Sequence, residues 1–214
     1  MDDLKALDNR YLVGTYGRFD LEAASGQGAV CTGQDGKTYI DFTSGIGVNS
    51  LGWCDPDWGK AVQKQASTLQ HVSNLYYTAP MIQLAQTLCT RTGMDKVFFC
   101  NSGAEANECM IKTARKYSSD YYGRGRHTIL SLENSFHGRT ITTLSATGQD
   151  VFHRYFDPFT DGFSFFRAND LSSLEALLDD TVCGILIELI QGEGGVVPLE
   201  KDFVQAIAQL CREK

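Results

Sequence analysis

The 214-residue sequence has no Cys-x-x-Cys pair, no excess of basic residues and no long apolar run, and each of these shortages removes a class of function; with only four prolines, boundaries must come from pattern. Its seven cysteines, at 31, 54, 89, 100, 109, 183 and 211, are odd in number, and several sit in apolar runs such as VFFC and VCGILI. That usage predicts reduced core thiols in a cytosolic protein, not a disulfide framework. A net charge of -7 leaves no basic face to neutralise a polyanion, so neither nucleic acid nor an anionic membrane is expected as a partner. The four histidines, at 71, 127, 137 and 153, have no short paired spacing and join no ligand pattern, so no metal site is expected. No run approaches the about 18 apolar residues that span a bilayer, and MDDLKALDNR lacks the basic-then-apolar layout of a signal peptide. The expected location is therefore the cytoplasm.

What the sequence does contain is a globular composition, 43% hydrophobic, enough to bury a core in one or two domains. There is no repeat and no low-complexity linker, so organisation must come from periodicity. In AVCTGQDGKTYIDF, short apolar runs flank Asp35-Gly36, a tight-turn dipeptide, which predicts a β-hairpin over 28–42. Asp55 as cap and Pro56 at the first helical position open a helix, with Trp58, Ala61, Val62, Gln65 and Leu69 spaced at three or four along it. A second helix is predicted from about Pro80 to Thr92, stopping at Gly93. Beyond it the pattern alternates: strand VFFC, a helix, strand TILSL, a short helix near Thr142, strand FSFF, helix LSSLEALLDD, strand CGILIEL and a helix from about Asp202. Alternation of this kind predicts an α/β fold with a largely parallel sheet covered on both faces.

Three stretches carry chemistry. In VFFCNSGAEANECMIKTARKY the small-residue turn 101–104 opens a helix whose expected inner stripe is Ala106, Cys109/Met110, Thr113/Ala114 and Tyr117. Backbone N–H groups at such a terminus favour an anion, and Ser102 adds a hydroxyl, although a capped strand-to-helix junction has the same composition. No Walker lysine and no Gly-x-Gly-x-x-Gly spacing accompany it, which disfavours a nucleotide.

In TILSLENSFHGRT, Phe136 can cover a flat ligand and Arg139 can grip a carboxylate through two parallel hydrogen bonds. The alternative is a solvent-facing loop whose arginine pairs with a surface glutamate. The position after a strand's C-terminal end, where ligands of such sheets bind, favours the site. In GILIELIQGEGGVVP, Glu188 directly follows four apolar residues and Glu193 lies in a glycine-rich bend, which suits carboxylates held near a ligand or an opposing arginine, since a partly buried carboxylate needs a partner; the alternative is a surface loop that merely tolerates glycine. A serine hydrolase would need a Gly-x-Ser-x-Gly elbow, which is absent.

Taken in order, YLVGTYGRF, DGKTYIDFTSGIGVNSLG, HVSNLYYT, NSGAEAN, SFHGRT and ELIQGEGGV resemble the class III aminotransferases, from about Tyr11 to Cys211. The resemblance implies a fold type I pyridoxal phosphate enzyme. Residues 1–50 would be an N-terminal segment with a β-hairpin, part of the small domain, and 51–214 the first part of the large cofactor-binding domain. It also implies that Ser102, Gly103 and Ala104 hold the phosphate of pyridoxal 5'-phosphate and that Phe136 stacks on its ring, with Glu188 also in the cofactor pocket. Arg139 would bind the substrate α-carboxylate, Tyr16 would line the substrate pocket, and Glu193 would pair with a later, gating arginine.

Leu189 departs from the family, many members of which have proline there. The implied reaction passes the δ-amino group of N-acetylornithine through the cofactor to 2-oxoglutarate, in a homodimer. Ornithine, succinylornithine and 4-aminobutyrate are the donors of sister enzymes, and a non-catalytic binding module is a reading of another class. Family members run to about twice this length. The Asp-Glu-Val-Gln strand, whose Asp binds the pyridine nitrogen, and the Schiff-base lysine are absent from these residues, and none of the nine lysines stands in, so the 214 residues alone are expected to be inactive.

Overall fold

The computed structural model describes residues 3–214 and divides the chain into two compact units, the first reaching Ile82 and the second running from Gln83 to Lys214. The sequence-based division after residue 50 falls within the first unit, whereas the division by compactness falls inside a helix.

In the first unit, α1 (Leu4–Tyr11) is capped by the Asp3 carboxylate, which accepts from the N–H groups of Lys5 and Ala6. Strands β1 (Ala23–Gln27), β2 (Val30–Gly33) and β3 (Thr38–Ile40) form an antiparallel sheet in that order. The expected hairpin is β2–β3, turning at Asp35-Gly36 with Gly36 at φ 78°. Its paired strands are shorter than 28–42, and β1 is an addition that no sequence signal marked. Trp53 lies over Gly26, and its Nε1 donates to Asp41 Oδ2 at 2.7 Å.

Helix α2 (Pro56–Thr68) begins as predicted, with Asp55 accepting from the N–H groups of Asp57 and Trp58. The residues spaced at three or four along it are left uncovered: no residue of α2 is buried, and Trp58 is 60% exposed. Helical spacing fixes which residues share a face, but only a neighbour decides whether that face is covered. Helix α3 (Ala79–Thr92) stops at Gly93, whose positive φ of 74° and N–H to the carbonyl of Cys89 end it as read from the sequence.

In the second unit, VFFC is not a strand. Residues 97–100 pair with no described strand, and Phe98 is 64% exposed. β-propensity records fit to a neighbouring strand, and none is supplied here. The remaining order is α4 (Gly103–Tyr122), β4 (Thr128–Leu132), α5 (Ile141–Ser145), a 3₁₀ turn over Asp150–His153, β5 (Phe163–Phe166), α6 (Leu171–Glu175), β6 (Val182–Leu186), β7 (Ile190–Gln191), β8 (Val197–Pro198) and α7 (Lys201–Glu213). Helix α6 is half the predicted LSSLEALLDD helix, and β7 and β8 form a small antiparallel pair that was not foreseen.

Strands β5, β4 and β6 form a parallel sheet with β4 in the centre, Ile129 opposite Phe163 and Leu130 opposite Ile185. Alternation along β4 sends side chains to two cores. Leu130 and Leu132 meet Phe166, Leu174, Phe203 and Ile207. Ile129 meets Ile111 of α4 and Ala146. Helices therefore cover both faces of a parallel sheet, the α/β class expected.

The α4 stripe is rotated from its predicted position. Ile111 and Ser118 are buried with Met110 and Ala114 against the sheet, while Ala106, Thr113 and Tyr117 face outward. The seven cysteines are all unpaired, but Cys31 alone of them is buried, and Cys54, Cys100 and Cys211 are exposed. No helix among the described residues is long and apolar enough to cross a membrane.

Candidate functional site

The C-terminal end of β4 opens into residues 133–140, and this segment is held from every side by polar contacts. Buried Ser131, on the strand, meets His137 Nε2 at 3.0 Å and Ser135 Oγ at 3.3 Å. The N–H of His137 donates to Thr147 Oγ1 at 3.0 Å, and Ser135 Oγ accepts the N–H of Gly148 at 3.0 Å. No buried side-chain N or O atom among the described residues lacks a partner. Burial pushes the His137 pKa down to about 4, so its ring is neutral at physiological pH.

Two side chains of this segment point to ligand chemistry. The Phe136 ring is half-buried, 5.5 Å from that of Phe152, and the exposed Arg139 guanidinium lies 5.6 Å over its centroid. A flat aromatic surface and a forked cation thus adjoin.

The end of β6 adds the carboxylates. Glu188 is half-buried, and its Oε2 accepts the N–H of Phe136 at 3.1 Å. Burial raises its pKa, opposed by the N–H groups of Phe136 and Gly192. The carboxylate thus ties the end of β6 to the backbone beneath the Phe136 ring. Glu193, five residues on, is exposed. The bend packs on the β4 loop: a Cβ on Gly194 would lie 2.6 Å from the carbonyl oxygen of Asn134, and Gln191 Nε2 donates to the carbonyl of Glu133 at 2.8 Å.

The third element is the start of α4. Ser102 caps it, its Oγ accepting the N–H of Glu105 at 3.2 Å. The Glu105 carboxylate reaches back to the N–H of Asn101 at 2.8 Å, and that bond, with those from the Asn101 and Ser102 side chains, lowers its pKa. The first-turn N–H groups of Gly103 and Ala104 have no partner within the helix, and a Cβ built on Gly103 would meet nothing within 4 Å. Donors and open space suit a phosphate, so the residues present fit the phosphate end of pyridoxal phosphate.

The structure thus brings Phe136, Arg139 and Glu188 together at the C-terminal ends of parallel strands, and it places the Ser102 turn against the same segment through Ala104 and Gly138. Tyr16 belongs to the first unit and is exposed there. Among the described residues, no group of three or more His, Cys, Asp or Glu could hold a metal. Sequence reasoning gave no role to His137, Asn107 or Glu105. Glu105 was legible, since Ser-x-x-Glu ahead of a helix is a capping signature, but the contacts of His137 and Asn107 join residues six to thirty positions apart and left no local signal.

Comparison with known proteins gives the family. The model of the family "Aminotransferase class-III" matches residues 15–214. An acetylornithine aminotransferase of Haemophilus ducreyi is 54% identical over 212 residues, 99% of this chain and 54% of that protein. One of Methanocaldococcus jannaschii is 46% identical over 208 residues, 97% of this chain and 52% of that protein. Among solved structures, the ornithine aminotransferase of Toxoplasma gondii superposes with a TM-score of 0.93 at 30% identity, covering 98% of this chain and 50% of that one. The N-acetylornithine aminotransferase of Stenotrophomonas maltophilia gives 0.80 at 34%, covering 97% and 50%. The chain spans about half the length of the curated relatives it matches.

Proposed function

The chain belongs to the class III aminotransferases, pyridoxal phosphate enzymes of fold type I, and from that membership we propose that the full-length protein transfers the δ-amino group of N2-acetyl-L-ornithine to 2-oxoglutarate. The products are N-acetylglutamate 5-semialdehyde and glutamate, a step of arginine biosynthesis. The observation that carries the reading is the meeting of Phe136, Arg139 and Glu188 at one end of the β4–β6 sheet, in a chain whose relatives at 54% and 46% identity bear that enzyme's name.

In this reading the amides of Gly103 and Ala104 and the Ser102 hydroxyl take the phosphate. Phe136 lies against the pyridine ring, and Glu188 belongs to the cofactor pocket by holding the Phe136 backbone in place. Arg139 takes the α-carboxylate, and Glu193 pairs with an arginine supplied later in the protein. When bound, the cofactor supplies the aldehyde that accepts the amino group and the ring that takes up electrons. None of this chain's nine lysines is assigned to it: Lys5, Lys37, Lys60 and Lys116 pair with Asp20, Asp35, Asp57 and Asp120, Lys112 lies on an exposed face of α4, and Lys64, Lys96, Lys201 and Lys214 are exposed. The 214 residues alone are therefore inactive, and the whole protein is a cytoplasmic homodimer acting on amino acids and oxo acids.

The likeness to an ornithine aminotransferase structure favours ornithine as the rival donor. Relative kcat/KM of the full-length protein on N-acetylornithine, ornithine, succinylornithine and 4-aminobutyrate decides between them. A preference for N-acetylornithine is expected, and a preference for any other amine overturns the choice. Replacing Arg139 by Ala is expected to raise KM for the amino acid tenfold or more, since a charge-assisted hydrogen bond contributes about 1.5–3 kcal/mol.

A further inference from the structure

The start of α4 and the segment that follows Phe136 touch so closely that one side chain has been eliminated. A Cβ on Gly138 would lie 2.7 Å from Ala104 Cβ, 3.0 Å from Ala104 Cα and 2.6 Å from Thr143 Oγ1. Its φ of 133° is also one that side-chain-bearing residues rarely adopt. One turn along the helix, Asn107 Nδ2 donates to the carbonyl oxygen of His137 at 2.8 Å, and Thr140 Oγ1 donates to the carboxylate of Glu108. These contacts flank Arg139 on both sides in the sequence and begin within the turn that carries Ser102, Gly103 and Ala104.

We infer that Asn107 and Gly138 are positioning residues that fix the separation between the anion-binding turn and the Arg139 guanidinium. The inference rests on the reading above, in which the turn takes a phosphate and Arg139 a carboxylate. Cofactor and amino acid, when they react, present a phosphate at one end and a carboxylate at the other. A rigid spacing lets both be held at once, whereas a loose one forces a choice between them. Neither positioning residue need touch the ligand: Asn107 grips a backbone carbonyl, and Gly138 acts by having no side chain.

The test uses the full-length protein and two donors, N-acetylornithine and N-acetylputrescine, which is the same amine without the carboxylate. Asn107→Asp keeps the side chain's shape and removes its N–H donor; Gly138→Ala drives a methyl group into Ala104. Each variant is expected to bind pyridoxal phosphate within about threefold of wild type yet to lose about tenfold or more in kcat/KM on N-acetylornithine, mainly through KM. The rate on N-acetylputrescine should stay close to wild type, because no carboxylate has to be met. Equal losses on both donors would mark general damage to the fold and overturn the inference, as would no loss on either. Wild-type protein that binds no pyridoxal phosphate, or that fails to distinguish the two donors, would instead overturn the functional reading beneath it.

Discussion

His137 illustrates what burial does to a single group. Its ring titrates near 6.5 in an unfolded chain and at about 4 in the folded one, because the charged form would have to sit out of water. Between those values the unfolded state binds the extra proton, so stability is complete above pH 6.5 and falls as the pH drops towards 4. A shift of this size corresponds to about 3 kcal/mol. Urea midpoints of the full-length protein should therefore fall between pH 6.5 and 4, and His137→Gln should flatten that part of the profile. At the helix start, Ser102→Ala removes the acceptor for the Glu105 N–H and is expected to cost about 1 kcal/mol of stability and to weaken pyridoxal phosphate binding, read by fluorescence titration. Unchanged affinity would remove the phosphate role from Ser102 while leaving its role as a cap. Both residues stood in view in the sequence, Ser102 as a cap and anion-site candidate with a phosphate role implied by the resemblance, His137 only as one of four histidines without a ligand pattern.

Among elements, local chemistry was legible wherever it lay within a few residues. The Asp55 cap with Pro56, the Gly36 turn and the Gly93 stop appear in the structure as read, since each is set by its own backbone. Two other expectations failed because they depended on a neighbour. VFFC has strand composition without a partner, and α4 has apolar residues on two sides, so periodicity alone could not choose between them. The sheet chose Met110, Ile111, Ala114 and Ser118. That choice has a measurable consequence in the full-length protein: Ile111→Ala is expected to destabilise by about 2–5 kcal/mol, the usual range for emptying a core site. Thr113→Ala, on the outward stripe, should stay within about 0.5 kcal/mol. Chemical denaturation of the pair separates the two, and the reverse order would restore the predicted stripe.

For the whole molecule, the parallel sheet and its two-sided cover followed from alternation, whereas the extent of uncovered surface did not. Phe19, Ile46 and Tyr77 are each more than 90% exposed, and Leu75 and Val48 nearly as much. Large apolar side chains exposed to this degree favour contact with other apolar surface. The 214-residue chain by itself is expected to bind a hydrophobic dye and to self-associate on size-exclusion chromatography; a monomer silent to the dye would count against this.

The seven unpaired thiols also make a labelling map. Cys100 is exposed two residues before Ser102, its Sγ 3.3 Å from the Ser102 carbonyl oxygen. Cys211 is exposed on α7 and, with Val182, where β6 begins, and Arg126, lines a cavity of about 200 Å³. A ligand seated in the α4 turn would slow maleimide attack at the first thiol and leave the second as an internal clock, so footprinting by mass spectrometry can read occupancy of the turn without any turnover at all.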